Sequence, residues 1–378
     1  MMTTDLQNEE WSAQLADFGR YLADIGYRDI FYSFPQMPYR YQEIDTFLAR
    51  ARSLLPRDLR IAVRLLALGE AVGISEVDQS GLGRLVPALL GTDIIERNSS
   101  ARTYRVKGVK LVALDGLLLL ISAPTHGKPL GAYFGDDSIK LTRHLIGESN
   151  QQALDCCCGS GIQSLYLASR GLYVTGVDIQ ELPVRLARLN SVINRLQDRL
   201  QFICGDIHQL DIYEPYDVVV SNPPLPPIPQ EIPYDTVGDG GEYGWNVTES
   251  VLRRIALTPN PTTRGVIIGL CLGTAETPEV VPWLDRTAKN MGLSAAVFLG
   301  GRYPISALTE ATALSSWFTS GGYLGNSMDD MMEMIWKRGA EYAYPFVLKV
   351  AKGSAAKGLT AVVPLYRQFK ITGMWYVS

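Results

Sequence analysis

The sequence predicts an α/β protein with a doubly wound, mostly parallel sheet and a smaller module in front of it. From about Leu154 onward, segments typical of strands alternate with segments typical of helices, which is the pattern of parallel strands joined by crossover helices. The chain has 378 residues, enough for more than one domain, and its first third follows a different rhythm. We therefore predict two domains, residues 1–122 and residues 123–378.

The N-terminal region is predicted to be helical first and β-stranded later. Residues 1–55 show helical patterns, and DLRIAVRLLALGEAV, which starts at Asp58, places its apolar residues on one helical face. GLGRLVPALLGTD is a second helical pattern, and IIERNSSARTYRV predicts a hairpin that turns at residues 98–100. Helix, helix and hairpin in this order predict a winged-helix-like module that ends near Ser122.

The second half is predicted to alternate strands and helices at short intervals. Strands are predicted for QALDCC, YVTGVD, LQFICGD, YDVVVSNPP and GVIIGLCLG, and helices for IQSLYLASR and LPVRLARLNSVINRL. Toward the C terminus, MDDMMEMIWKRG is predicted to be a helix, and YPFVLKV and the segment from Leu359 onward are predicted to be strands.

Composition and charge are those of an ordinary globular protein. Apolar residues make up 47% of the chain and charged residues 20%. The start, MMTTDLQNEE, lacks the features of a secretory signal, and the most apolar run, LVALDGLLLLIS, is too short to span a bilayer. We therefore expect a cytoplasmic protein with no membrane partner. The net charge of −4 gives no overall attraction to nucleic acid.

The five cysteines and three histidines do not form a metal-binding pattern. Cys156, Cys157 and Cys158 are contiguous, whereas zinc ligands are usually about two to four residues apart. No histidine lies near another in the sequence. We predict no metal and no disulfide framework, and the sequence leaves the oligomeric state open.

Three strand ends carry residues suited to a nucleoside. Gly159 and Gly161 lie between a strand and a helix, where the backbone can approach a ligand closely. Asp178 ends the next strand, where a carboxylate can accept both hydroxyls of a ribose, and Asp206 ends the third, next to an adenine edge. Position 164 is Ser instead of the third glycine of a dinucleotide fingerprint, and no Lys follows as in a triphosphate loop. These residues favour an adenosine ligand without phosphates.

The stretch from about Tyr133 to Ala256 resembles the class I S-adenosylmethionine-dependent methyltransferases. DCCCGSG stands where that family has an acidic residue followed by three alternating glycines, and Cys157 replaces the first glycine. The resemblance implies a Rossmann-like fold with S-adenosylmethionine as cofactor, its methionine part facing the glycine turn. The cofactor-binding residues that it implies are Tyr133, Asp155, Cys157, Gly159, Gly161, Asp178, Ile179, Gly205, Asp206, Ile207 and Asn222.

The segment SNPPLPPIP, residues 221–229, places one asparagine and five prolines directly after an apolar strand. Within the family, Asn-Pro-Pro followed by an aromatic residue marks enzymes that methylate planar nitrogens: adenine N6, cytosine N4 and glutamine amides. The Asn222 oxygen and the Pro223 carbonyl can each accept an N–H and so orient the acceptor nitrogen, and prolines donate no competing N–H. We predict Asn222, Pro223 and Pro224 as catalytic residues. Leu225 replaces the aromatic residue and offers an apolar wall.

The residues after this motif suggest the charge of the methyl acceptor. GGEYGWNVTESVLRRI resembles the Gly-Gly-x-x-Gly segment of protein glutamine N5-methyltransferases that act on release factors. Residues 221–252 contain no Lys or Arg but five acidic residues: Glu231, Asp235, Asp239, Glu242 and Glu249. An acidic surface around the site would repel phosphate groups and favour a neutral or cationic nitrogen as methyl acceptor. The predicted substrate-binding residues are Leu225, Tyr234, Glu242, Tyr243 and Trp245.

The sequence thus predicts an S-adenosylmethionine-dependent N-methyltransferase that acts on an amide, amine or guanidine nitrogen of a peptide, protein or small molecule. Two alternatives stay open: an adenine-N6 methyltransferase of rRNA or DNA, and a catalytically silent regulator that binds the cofactor and a partner. The first is favoured by a basic surface on the N-terminal module, which can bind phosphates. Its basic residues are Arg84, Arg97, Arg102, Arg105, Lys107 and Lys110, against the acidic residues Asp93 and Glu96.

Overall fold

The structure is a computed structural model that describes residues 9–32, 41–123, 131–210, 214–228, 238–305, 333, 335–367, 371–372 and 376–377. The helices are α1 (Glu9–Asp24), α2 (Tyr27–Tyr32), α3 (Tyr41–Ala51), α4 (Arg57–Ala62), α5 (Ile74–Asp78), α6 (Val86–Gly91), α7 (Asp136–Thr142), α8 (Ile162–Ser169), α9 (Glu181–Ile193), α10 (Asn246–Leu257) and α11 (Val280–Asn290). None of these helices is long and apolar enough to cross a membrane.

The strands comprise those of the N-terminal region and those of the later sheet. The N-terminal strands are β1 (Val72–Gly73), β2 (Ile95–Asn98), β3 (Thr103–Val106), β4 (Val109–Leu114) and β5 (Leu117–Ser122). The later strands are β6 (Gln152–Cys156), β7 (Tyr173–Asp178), β8 (Leu200–Cys204), β9 (Val218–Ser221), β10 (Arg264–Gly273), β11 (Ser294–Leu299), β12 (Tyr303–Pro304), β13 (Tyr342–Ala351), β14 (Gly358–Pro364), β15 (Ile371–Thr372) and β16 (Tyr376–Val377).

Nine of these strands form one central, mostly parallel sheet, which confirms the predicted sheet type. Its order is β14-β11-β13-β10-β9-β6-β7-β8, with β12 paired to β13. The five strands β10, β9, β6, β7 and β8 are parallel to one another, whereas β13 is antiparallel to β10, β11 and β12. The antiparallel β13 contains the predicted strand YPFVLKV, but the sequence pattern did not indicate its direction. Half of the predicted helix MDDMMEMIWKRG lies outside the described residues, and in the other half residues 333 and 335–337 are helical.

The middle of the sheet is buried on both faces. All four residues of β9 are buried, as are all but the first residue of β10. Runs of Val and Ile are typical of parallel strands that are covered by helices on both sides. Because β6, β7, β8 and β9 run in the same direction, their carboxyl ends meet at one edge of the sheet, where open α/β sheets bind ligands.

The N-terminal region contains a three-stranded sheet in the order β1-β3-β2, with α4 before β1 and with α5 and α6 between β1 and β2. The predicted hairpin corresponds to β2 and β3. The predicted long helix from Asp58 is shorter than expected, because a π-helical stretch at Val63–Ala67 ends it and β1 follows. The run LVALDGLLLLIS forms a second hairpin, β4–β5, which turns at Asp115 and Gly116.

Two asparagines, Asn190 on α9 and Asn194 directly after it, join the edge of this second hairpin to the sheet domain. Asn194 accepts a hydrogen bond from the Leu118 N–H at 2.9 Å and donates to the Leu118 carbonyl at 2.7 Å. Asn190 does the same with Leu120, at 2.7 Å and 3.0 Å. The two amides thus satisfy the edge of β5 as a neighbouring strand would. Asn190 also donates to the Ser160 carbonyl at 2.9 Å, in the glycine-rich turn after β6.

One hydrophobic core crosses the predicted domain boundary at residue 122. It combines buried side chains from α1 to β5 with Leu186, Leu189 and Ile193 of α9. The helix that follows Asp178 in the sheet domain therefore packs its apolar face against the N-terminal region.

We expect Asn190→Ala and Asn194→Ala to lower the free energy of unfolding by similar amounts, about 1–3 kcal/mol, because each leaves a backbone N–H and carbonyl of β5 without partners. We expect the Asn190 variant alone to weaken binding of the predicted cofactor, since only Asn190 contacts the glycine-rich turn. Urea denaturation and calorimetry with S-adenosylhomocysteine measure the two effects. Equal cofactor binding by both variants would contradict the link through Ser160.

Candidate functional site

A cavity of about 390 Å³ opens at the carboxyl ends of β6, β7, β8 and β9. Its walls come from the turns that follow these strands, from residues around Tyr133 and Asp137, and from the start of α10. Its volume falls within the roughly 300–1,000 Å³ that is typical of small-molecule sites. The position is the one that the direction of the parallel strands predicts.

Most of the predicted site residues line this cavity: Tyr133, Cys157, Gly159, Asp178, Ile179, Gly205, Asp206, Ile207, Asn222, Pro223, Pro224 and Leu225. The predicted residues that do not line it are Asp155, Gly161, Glu242, Tyr243 and Trp245. Tyr234 lies outside the described residues. Asp239, one of the five acidic residues that the sequence places near the acceptor, also lines the cavity. The lining residues that sequence reasoning missed include Asp137, Ser138, Gln163, His208 and Asn246.

The turn after β6 has the backbone geometry that a glycine-rich loop needs. Cys157, Gly159 and Gly161 have φ angles of 61°, 55° and 84°. A cysteine in this left-handed conformation costs about 1–2 kcal/mol relative to glycine, so the departure at Cys157 changes the residue but not the turn. A Cβ on Gly159 would meet no atom within 4 Å, whereas one on Gly161 would lie 3.1 Å from Ala187. Gly159 therefore leaves room for a ligand, and Gly161 allows close packing behind the turn.

Asp178 links this turn to the end of β7. Its Oδ2 accepts a hydrogen bond from the Gly159 N–H at 2.9 Å, and its Oδ1 accepts one from the Gln180 N–H at 3.0 Å. Burial raises the pKa of Asp178, although these hydrogen bonds oppose the rise. An ionised carboxylate has further acceptor positions, so Asp178 can still receive hydroxyl groups from a ligand in the cavity.

Asp155 has a different place from the one predicted for it. It is fully buried beneath the turn, and its Oδ2 accepts a hydrogen bond from the Ser164 hydroxyl on α8 at 2.6 Å. Burial raises the pKa of Asp155 to about 7, against the opposing effect of this hydrogen bond. Asp155 and Ser164 thus join β6 to α8, and neither residue lines the cavity.

Asn222 is held by the first turn of α7. Its Nδ2 donates to Asp137 Oδ2 at 2.8 Å and to the Ser138 hydroxyl at 3.1 Å. Asp137 Oδ1 in turn accepts a hydrogen bond from the Tyr133 hydroxyl at 2.8 Å. Asn222 Oδ1 is buried and has no hydrogen-bond partner among the described residues. The asparagine therefore keeps one unused acceptor at the cavity.

The Gly-Gly-x-x-Gly segment supports the prolines that follow Asn222. The Gly240 N–H donates to the Pro226 carbonyl at 3.0 Å. A Cβ on Gly240 would lie 2.7 Å from the Pro226 carbonyl oxygen and 3.0 Å from that of Pro224, and a Cβ on Gly244 would lie 2.7 Å from that of Leu225. Only glycine allows the two segments to approach this closely. This contact gives a physical reason for the spacing of the two motifs.

Tyr243 and Trp245 belong to an aromatic row beside the cavity. Tyr243 stacks on Trp245 with ring centroids 5.3 Å apart, and Trp245 stacks on Trp283 at 4.7 Å. The Arg338 guanidinium lies 3.8 Å from the centroid of Tyr243 and forms an ion pair with Glu279. These contacts stabilise the segment around Gly244, and a role for Tyr243 and Trp245 in substrate binding stays a prediction.

Comparison with known proteins shows the class of the sheet domain. Residues 153–232 match the family model described as a methyltransferase domain. The chain is similar to a putative protein N5-glutamine methyltransferase of Methanocaldococcus jannaschii, 27% identical over 138 residues, which are 35% of this chain and 67% of that protein. It is also similar to a tRNA1(Val) (adenine(37)-N6)-methyltransferase of Porphyromonas gingivalis, 32% identical over 108 residues, 27% of this chain and 40% of that protein.

Among solved structures, M. jannaschii TYW2 in complex with AdoMet aligns with a TM-score of 0.39 and 12% identity, over 66% of this chain and 89% of that one. The chain spans less than half the length of most of the curated relatives that it matches.

The chain carries a class I methyltransferase domain, and S-adenosylmethionine is its cofactor. The residues present fit this cofactor. Gly159 faces open space, Asp178 offers a carboxylate at the cavity, and no Lys or Arg occurs among the described lining residues to bind a phosphate. The prediction of an S-adenosylmethionine-dependent enzyme is confirmed.

We expect Asp178→Ala to weaken binding of S-adenosylhomocysteine by about 1.5–3 kcal/mol, because hydrogen bonds to a charged group are lost. Asp178→Asn, which keeps the size of the side chain but not its charge, should have a smaller effect. Isothermal titration calorimetry at neutral pH measures both affinities. Unchanged affinity in the alanine variant would show that this carboxylate does not contact the cofactor.

Asp155 should make stability depend on pH. Burial raises the pKa of Asp155 to about 7, above its ordinary value near 3.8. The contribution of Asp155 to the free energy of unfolding is therefore complete below the ordinary pKa and is lost as the pH rises through about 7. We expect the free energy of unfolding of the parent protein to fall between about pH 4 and pH 8 relative to that of Asp155→Asn. Urea denaturation of both proteins across this range measures the difference, and parallel curves would contradict the assignment.

Proposed function

We propose that this protein transfers a methyl group from S-adenosylmethionine to an amide, amine or guanidine nitrogen of a peptide, protein or small molecule. The observation that carries this proposal is the Asn222 side chain. Its oxygen is buried at the cavity without a partner among the described residues, while Asp137 and Ser138 hold its nitrogen. Buried acceptors are nearly always hydrogen-bonded, so an unpartnered one beside a cavity is suited to an incoming N–H.

The mechanism that we propose relies on positioning. The bound cofactor supplies a methyl group on a positively charged sulfur. Asn222 Oδ1 would accept one N–H of the neutral acceptor nitrogen and the Pro223 carbonyl another, so that the nitrogen lone pair would point at the methyl group. The new N–C bond would replace the S–C bond, and the methylated nitrogen would then release one proton to solvent. The prolines donate no competing N–H, and Leu225, which is 7% exposed, adds an apolar wall that excludes water.

The charge of the cavity supports a neutral or cationic acceptor. Its described lining contains Asp137, Asp178, Asp206 and Asp239, together with no Lys or Arg. Carboxylates in a cleft of low dielectric attract cations and repel phosphate groups. The similarity to a putative protein N5-glutamine methyltransferase adds support for an amide of a protein.

The similarity to a tRNA adenine-N6 methyltransferase keeps a nucleic-acid acceptor as the second candidate. Its main support in the sequence, the basic N-terminal surface, is reduced by neighbouring acids. Lys107 forms an ion pair with Asp93 and Lys110 forms one with Asp45, and Arg105 lies opposite Glu96 in the β2–β3 ladder. The exposed arginines of this surface that have no ion pair among the described contacts are Arg84, Arg97, Arg102 and Arg105.

We further propose that residues 1–122 form a winged-helix-like domain that contributes to acceptor selection. The order of α4, β1, α5, α6, β2 and β3, with the sheet order β1-β3-β2, supports this assignment. Helix α6 packs against α1, where the Trp11 indole N–H donates to the Ala88 carbonyl, and Arg185 of α9 donates to the Thr92 carbonyl just beyond α6. Because α1 covers α6, acceptor selection by the β2–β3 hairpin is favoured over insertion of α6 into a groove.

We expect Asn222→Ala to lower the rate of methyl transfer about 100-fold, as the loss of one preorganised hydrogen-bonding group does, with the affinity for S-adenosylmethionine nearly unchanged. The assay measures transfer of labelled methyl groups to a cell lysate that is left intact or treated with protease or nuclease. If the acceptor is a peptide or protein, we expect protease, and not nuclease, to remove the labelled macromolecules. If the acceptor is a small molecule, we expect the label in the small-molecule fraction.

Asn260→Ala provides a matched control, because this variant loses the same amide from a side chain that contacts Asp217 and does not line the cavity. At equal concentrations of folded protein, it should retain methyl transfer. Full transfer by Asn222→Ala would refute the proposed mechanism, and loss of the label on nuclease treatment would favour the nucleic-acid acceptor.

A further inference from the structure

The orientation of the Asn222 amide is decided by its neighbours on α7. An amide has two ends of similar size and opposite hydrogen-bonding character, so its orientation depends on what each end contacts. Asp137 and Ser138 both contact the nitrogen, at 2.8 Å and 3.1 Å, which leaves the oxygen, buried and without a partner among the described residues, as the free end of a side chain that lines the cavity. In the reverse orientation the NH₂ group would face the acceptor nitrogen and donate to the lone pair that must attack.

Of these two neighbours, only Asp137 can enforce the orientation. A serine hydroxyl both donates and accepts, so Ser138 can satisfy either end of the amide. An ionised carboxylate only accepts, so the Asn222 oxygen cannot face it without repulsion. An asparagine at position 137 would lose this discrimination, because it can donate as well as accept.

The surroundings of Asp137 hold its carboxylate in place. Asp137 is 4% exposed, and its second oxygen accepts the hydrogen bond from the Tyr133 hydroxyl at 2.8 Å. Its described hydrogen-bond partners are the side chains of Tyr133 and Asn222 and the backbone N–H groups of Asp137 and Ser138, and none of them carries a positive charge. Burial without a cation destabilises a carboxylate by several kcal/mol, and a neutral side chain would fill the same space without that loss.

We propose that Asp137 is a positioning residue that turns the Asn222 oxygen toward the acceptor nitrogen, with Tyr133 fixing the carboxylate. This inference rests on the proposed function, because it assumes that the Asn222 oxygen receives the acceptor N–H. It assigns to residues 133–137, at the start of α7, a role in the reaction that is separate from cofactor binding.

Sinefungin tests this inference without knowledge of the acceptor. In sinefungin a carbon that bears an amine replaces the sulfur and its methyl group, so its ammonium lies where the methyl group would face Asn222. S-adenosylhomocysteine lacks both the methyl group and the ammonium. The ratio of the two affinities, measured by calorimetry, therefore reports whether an acceptor oxygen faces this position.

We expect Asp137→Asn to weaken sinefungin about tenfold or more and S-adenosylhomocysteine less than threefold, and Asn222→Ala to do the same. In the double variant the Asp137 substitution should add little, because Asp137 acts through Asn222. Tyr133→Phe should shift the ratio in the same direction by a smaller factor, and it serves as the test if Asp137→Asn does not fold.

The outcomes separate the two proposals. If Asn222→Ala leaves the ratio unchanged, both the proposed function and this inference are wrong. If Asn222→Ala changes the ratio but Asp137→Asn and Tyr133→Phe do not, only the inference is wrong. If Asp137→Asn lowers sinefungin affinity equally in the Asn222→Ala background, Asp137 acts directly through its charge, and the positioning role is refuted.

Discussion

The hydrogen bonds of two asparagine side chains, one on α9 and one directly after it, connect the parts of this protein. Asn190 and Asn194 satisfy the free edge of β5, and Asn190 also binds the Ser160 carbonyl in the glycine-rich turn. The same helix begins just after Asp178 and buries its apolar face against the N-terminal region. The shape of the glycine-rich turn, the position of the Asp178 carboxylate and the docking of the N-terminal region therefore depend on one helix.

The candidate site brings together three segments that are distant in the chain. The strand end at Asn222 contributes the acceptor oxygen, the first turn of α7 contributes the carboxylate that holds the amide, and the glycines at 240 and 244 contribute close contacts to the proline backbone. Each segment restricts a different part of the site. The strand end fixes where the Asn222 side chain lies, α7 fixes which end of its amide is free, and the glycines fix the positions of the backbone carbonyls. Preorganisation of this kind lowers the reorganisation that the reaction requires.

Sequence reasoning located the parts of the site that follow from local patterns. Asp178 and Asn222 end apolar strands, and parallel strands bring such ends together, so their place at the cavity followed from the order of strands and helices. Asp137 was missed because it lies 85 residues before Asn222 and no local pattern pairs the two. Asp155 was assigned to the cofactor because it belongs to the motif, whereas its place depends on packing against Ser164. The β4–β5 hairpin was hidden in a run that is apolar at nearly every position, as expected when both faces of a hairpin are buried.

A buried carboxylate of the cavity, Asp178, gives the site a preference for one side of the reaction. Burial raises the pKa of Asp178, which means that its ionised form is disfavoured while no positive charge is near. A cation in the cavity stabilises this ionised form, and the sulfonium of the cofactor is such a cation. The product of transfer is a neutral thioether, so the same carboxylate attracts the cofactor more strongly than its product. An acidic cavity with no Lys or Arg in its described lining thus favours binding of the methyl donor and release of the spent donor.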